Sequence, residues 1–171
     1  MVNYRRRAYG FSLVEVMVVI AILGIAMGIG VPGLQTLLAN QKMQSATFDL
    51  LTTAIRARSE AIKWGGASSA SISIVAPANN FSNGWCVTLT STTPCNMATP
   101  DDGVMQIVRP TQGVAYVVYS GATPIIFNRS GRLASGNSVR LQVNDSRFSA
   151  NSRCVSIDSS GNATIKSGAC S

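Results

Sequence analysis

One stretch governs what this chain can fold into: across residues 11–34 the only ionisable side chain is Glu15. These 24 positions make about 36 Å of α-helix at about 1.5 Å per residue, enough to cross the hydrocarbon core of a bilayer. A water-soluble core helix rarely stays apolar on every face for so long. A secretory signal also begins basic and continues apolar, but its apolar core is shorter and ends in small residues at an A-x-A-like site. Residues 35–41 contain no such site. Arg5, Arg6 and Arg7 precede the run, so the positive-inside rule holds the N-terminus in the cytoplasm and sends the rest of the chain outward. A single membrane span is expected.

Glu15 stands out within it. A carboxylate near the middle of a span costs roughly 2.5–3.5 kcal/mol on insertion scales and usually has a partner. Close to the helix start, headgroups and the positive end of the helix dipole would tolerate it. Cleavage after Gly10 would supply a second reading, because it creates an amino group on Phe11 only four residues away. That amine could meet Glu15 within one helix or between neighbouring subunits.

Gly10-Phe11-Ser12-Leu13-Val14-Glu15 behind a basic leader resembles the class III signal of type IV pilins and type II secretion pseudopilins. The resemblance implies that prepilin peptidase cuts between Gly10 and Phe11 and methylates the new N-terminus. It also implies that Glu15 engages a neighbour's amine during filament assembly, and that Pro32 is the proline found later in such spans. The partners it implies are other pilins and minor pilins, prepilin peptidase, an inner-membrane assembly platform and membrane lipid. The implied location is the bacterial inner membrane, single-pass with a periplasmic head, and then a pilus fibre.

Composition narrows the chemistry. The formal charge is +7, from 14 basic and 7 acidic residues. Three of those arginines lie in the leader, and without them the balance is 11 to 7, or +4, too mild to imply a nucleic-acid partner. Histidine is absent, which excludes imidazole-based triads and most zinc sites. Outside the helical region the carboxylates are Asp101, Asp102, Asp145 and Asp158, and nothing in their placement favours catalysis. No enzyme activity, cofactor or metal is expected. The cysteines, Cys86, Cys95, Cys154 and Cys170, lack the short spacing of zinc ligands. Outside the cytoplasm they suit disulfides. Three pairings are open; Cys86–Cys95 and Cys154–Cys170 are favoured, since each closes a short loop rich in turn residues.

The sequence reads as four parts: a leader (1–10), a membrane and assembly helix (11–34), an amphipathic helix (35–64) and a β-rich head (65–171). The first helix should run past Pro32 with a bend, because proline removes a ladder hydrogen bond. Gly24, Gly28, Gly30 and Gly33 cluster around that point. In the second helix Phe48, Leu51, Ile55 and Ile62 share a face, widened by Leu50, Ala54, Ala57 and Ala61, that should dock on the head. Arg56 and Glu60, four apart, could pair, and Gly65-Gly66 should end the helix. Beyond it, short β-branched and aromatic runs at 71–75, 84–89, 104–108, 114–119, 124–127, 139–143, 153–157 and 163–166 alternate with turns. That pattern argues for an antiparallel sandwich or curled sheet. The expected fold is α+β and pilin-like: one long N-terminal helix on an antiparallel head.

Three further stretches narrow the resemblance. Ala57-Arg58-Ser59-Glu60-Ala61, Gly84-Trp85 and Phe127-Asn128-Arg129-Ser130-Gly131-Arg132 resemble the A-R-S-E-A, G-W and F-x-x-x-G-R segments of the GspH/FimT group. The resemblance implies a minor pilin of a type IV pilus that contributes to pilus assembly or initiation, and so to twitching, adhesion or DNA uptake. A minor pseudopilin of type II secretion is the alternative, and the paired cysteines late in the chain, more typical of pilins, weigh against it. A third reading is a DNA receptor for transformation, with Arg129, Arg132, Arg140, Arg147, Arg153 and Lys166 as phosphate contacts. The G-R-x-R element of such receptors is not reproduced: Gly131-Arg132 is followed by Leu133-Ala134.

Overall fold

The computed structural model describes residues 10–64, 71–99, 101–145 and 152–171, with the backbone alone for residues 29–32. The chain divides into two compact units, Met1–Leu38 and Ala39–Ser171. Helix α1 (Leu13–Lys63) belongs partly to each. It starts where the Ser12 carbonyl accepts the N–H groups of Glu15 (3.0 Å) and Val16 (3.3 Å). Its end, expected at Gly65-Gly66, lies outside the described residues.

The head carries all eight expected strands. They are β1 (Ile72–Val75), β2 (Trp85–Thr88), β3 (Val104–Val108), β4 (Val114–Ser120), β5 (Ile125–Phe127), β6 (Val139–Asp145), β7 (Ser152–Ile157) and β8 (Ala163–Ser167). Every pairing between them is antiparallel. They form two four-stranded sheets, in the orders β3-β2-β1-β5 and β4-β6-β7-β8. Alternation decides the faces: in β6, Val139, Leu141 and Val143 are buried while Arg140, Gln142 and Asn144 lie between them, half-buried. A 3-10 turn at Phe81–Asn83 shields the free edge of β4, where Tyr116 N–H donates to Ser82 Oγ (2.9 Å).

One apolar cluster joins both sheets to α1, and α1 presents only the Leu50, Ala54, Ala57 and Ala61 part of the expected face. Ala46, Leu50, Ala54, Ala57 and Ala61 are fully buried, with Ala39 and Met43 continuing the same stripe. Phe48 and Ile55 are 47 % and 53 % exposed, and Ile62, 53 % exposed, meets the head at the Gly131 turn. Alanine spaced at three and four residues lets the sheets approach the helix axis closely, so large inner side chains such as Trp85, Phe127 and Leu141 fill the core instead. Trp85 makes the central contact. Its ring meets Tyr116 edge-on at 5.1 Å, and its Nε1–H donates to Thr53 Oγ1 (3.2 Å). The expected Arg56–Glu60 pair is replaced: Glu60 faces Lys63 (3.7 Å) and accepts from Trp64 Nε1–H (3.2 Å).

The end of α1 is gripped by two glycine turns. Asn128 Oδ1 accepts the N–H groups of Ser130 (3.1 Å) and Arg132 (3.0 Å), shaping a turn that puts Gly131 at φ +71°. A Cβ on Gly131 would lie 2.8 Å from Ile62 Cδ1 and 3.2 Å from Arg58 Cγ. A Cβ on Gly161 (φ +81°) would overlap the Gly131 carbonyl oxygen. The A-R-S-E-A and F-x-x-x-G-R segments therefore meet in space, with the turn at Asp158–Asn162 as their third member. Gly136 supplies the control, since it also has φ +71° but has nothing within 4 Å. Gly136→Ala should cost about 1 kcal/mol for the left-handed backbone alone. Gly161→Ala should cost that plus about 1–3 kcal/mol of overlap. Equal losses in chemical denaturation would show that the grip adds nothing.

Asp158 sits in the same turn, fully exposed. Hydrogen bonds from Ser160 Oγ–H (2.6 Å) and the Asn162 N–H (2.9 Å) hold its carboxyl below the usual range, with a smaller contribution from Arg58. A folded-state pKa below the unfolded value adds stability above the unfolded pKa of about 3.9, lost as pH falls through the lowered value. Wild type should therefore unfold at higher temperature than Asp158→Asn at neutral pH, and the gap should shrink below about pH 4. A gap independent of pH would contradict this.

Candidate functional site

Among the described residues of the N-terminal unit none is buried. Phe11 is 82 % exposed, Leu13 76 % and Ile25 69 %, and the large apolar side chains described between them are about half exposed or more. So much apolar surface in one contiguous patch requires a lipid or protein partner. Among the described residues no single helix is long and apolar enough to cross a membrane. Leu13–Gly28 and Gly33–Lys63 meet that requirement together, as a pair inclined at 42°. The backbone of α1 runs on through residues 29–32, where the sequence places Gly30 and Pro32 and a bend is expected. Pro32 lacks the N–H that an unbroken ladder needs.

Phe11, Glu15, Val16, Val19, Ile20 and Leu23 line one concave strip of this helix, with a volume of about 290 Å³. Spacings of three and four put these side chains on one face. Glu15 thus lies beside Phe11 as the sole carboxylate in an apolar surface. Such a group can attract a cation brought by another apolar helix, and can do little else. No group of three or more histidine, cysteine, aspartate or glutamate side chains able to hold a metal occurs among the described residues.

In the head, Cys86 is bonded to Cys95 and Cys154 to Cys170. The two bonds play parallel roles. Trp85 and Val87 face the core, so Cys86 faces outward, and its bond draws the β2–β3 loop across the outside of the first sheet. Val155 and Ile157 face the core, so Cys154 faces outward, and its bond draws the tail after β8 across the second.

The six basic candidates do not gather. Arg129 and Arg132 are exposed on the turn after β5. Arg140 and Lys166 lie on the outer face of the second sheet. Arg153 pairs with Val143 and so falls on the core-facing side of β7, at its end. Arg147 lies outside the described residues. A continuous phosphate track through all of them is therefore not present. Sequence reasoning missed Gln142, Ser156 and the tail, which surround Arg140; polar residues alternating with buried ones in β6 were the available signal.

A family model described as Type II transport protein GspH matches residues 46–161. The chain belongs to the GspH family. A prokaryotic N-terminal methylation motif matches residues 5–31. The fold is similar to the type IV minor pilin FimU of Pseudomonas aeruginosa PAO1 in two crystal forms. The P21 form has TM-score 0.59 and 17 % identity, over 75 % of this chain and 94 % of that one. The P65 form has TM-score 0.57 and 18 % identity, over 73 % and 96 %. It is also similar to the minor pseudopilin EpsH of Vibrio cholerae, with TM-score 0.51 and 12 % identity over 75 % and 97 %. No curated protein matches this GspH-family chain significantly in sequence. At these identities the structural likeness speaks for the fold, that of minor pilins and pseudopilins, which are structural proteins.

Proposed function

We propose that this GspH-family chain is a minor pilin of a type IV pilus, cleaved between Gly10 and Phe11 and carried into the fibre by its N-terminal helix. The observation that carries this reading is the strip holding Glu15 beside Phe11. A new amine on a neighbouring subunit would neutralise the carboxylate, and the apolar side chains around it would exclude water from the pair. Prepilin peptidase and the inner-membrane platform are the partners this route needs. The paired cysteines support a pilus. The family's description and the likeness to EpsH support the second reading, a minor pseudopilin of type II secretion. The scattered basic residues give a DNA receptor no such support.

Gly10→Val should leave the full-length precursor in the membrane, as read by the mass of the purified protein. Glu15→Ala should be processed normally yet fall at least tenfold in sheared fibres, if loss of the pair removes about 1.4 kcal/mol or more from incorporation. Normal incorporation of Glu15→Ala would remove the assembly role of that carboxylate. Deleting the gene should reduce surface piliation and twitching while leaving secreted exoprotein levels intact. Lost secretion with normal pili would transfer the protein to the second machine.

A further inference from the structure

We propose that Arg140 and Lys166 form a phosphate-class oxyanion site on the outer face of the second sheet, held in this structure by an oxygen of the chain's own tail. The two residues flank β7 from opposite sides. Arg140 on β6 is opposite Ser156, and Lys166 on β8 is opposite Cys154. Strand alternation points all four outward. Between them lies a recess of about 70 Å³ lined by Arg140, Cys154, Ser156, Lys166, Ala169 and Ser171. No aspartate or glutamate is among these residues, so neither cation is neutralised by an acidic side chain there.

The recess already binds an oxygen. Arg140 Nη1–H donates to the main-chain oxygen of Ser171. The exposed Lys166 ammonium has no hydrogen bond or ion pair among the described residues. A guanidinium fork, an ammonium and the Ser156 hydroxyl together offer more donors than one oxygen can use. A tetrahedral oxyanion with several acceptors matches this donor set, and its bonds to these cations are charge-assisted from both sides. At about 70 Å³ the recess matches a single phosphate group in size, so a larger ligand would present its phosphate from outside.

The tail is the competing ligand. It is tied to the sheet by the Cys154–Cys170 bond and by the Cys170 N–H, which donates to Gln142 Oε1 (3.3 Å). These ties raise the effective concentration of the Ser171 oxygen at Arg140. Loosening them should therefore strengthen anion binding, the reverse of what loss of structure does.

The test uses the full chain in maltoside micelles with inorganic phosphate as probe, read by calorimetry and amide chemical shifts at constant ionic strength. Wild type should bind with a dissociation constant on the order of 1 mM. Arg140→Gln and Lys166→Gln should each weaken binding at least about tenfold, with Arg129→Gln unchanged. The paired Cys154→Ser, Cys170→Ser variant should bind several-fold tighter, and Gln142→Ala should do so too if the cysteine variant fails to fold. Vesicles containing phosphatidylglycerol identify the source: binding lost in Arg140→Gln assigns a lipid headgroup, and its absence beside phosphate binding assigns free phosphate. No phosphate binding at about 50 mM, or binding unaffected by Arg140→Gln, would reduce Arg140 to a latch for the tail.

Discussion

The head depends on one contact, the alanine face of α1 against the inner sides of both sheets. Its strands are short, three to seven residues, and sheets of such strands need a packed partner to persist. Ala46, Leu50, Ala54, Ala57 and Ala61 provide that partner by being small, which brings Trp85 against the helix backbone region. The polar groups admitted there are satisfied in sequence. Trp85 donates to Thr53, and Thr53 donates to the Asp49 carbonyl at 2.6 Å. A buried indole N–H without such a partner would cost about 1–3 kcal/mol.

With the alanine face committed, the remaining features follow. Phe48, Ile55 and Ile62 are left outside, although their size alone made them the better core candidates. Among the described residues no second α-helix covers the outer faces of the sheets, and each is crossed instead by a loop or tail held with a disulfide. The three family-like segments prove to be parts of one assembly. One is the helix end itself, the second packs its Gly131 turn against Arg58 there, and Trp85 of the third fixes the helix face.

The N-terminal unit is organised on the opposite principle. Its helix presents large apolar side chains to its surroundings, and its one carboxylate shares a strip with Phe11. A domain of this kind completes its structure only in contact with lipid or with other helices. The two units thus differ: in this GspH-family chain the buried apolar residues lie in the second and most of the exposed large apolar residues in the first.

How much could be read from residue order varies with the range of the interaction. The apolar run, the position of Glu15 and all eight strands were legible because periodicity, turn residues and charge are local properties. The docking face was legible only in part: Leu50, Ala54, Ala57 and Ala61 were expected on it and are buried, whereas Phe48, Ile55 and Ile62 were expected with them and are exposed. Phe48-Leu51-Ile55 and Leu50-Ala54-Ala57 both repeat at helical spacing, and only the closeness of the sheets selects the smaller side chains. The basic residues show the same limit. Arg140, Arg153 and Lys166 are equivalent as charges in a sequence, but strand register sends Arg153 to the core-facing side and brings the other two around one recess. Sequence by itself determined the anchor, the strands and the class of fold, through contacts between near neighbours. Tertiary structure decided which helix face is buried and which cations share a surface, because those choices rest on distances between residues far apart in the chain.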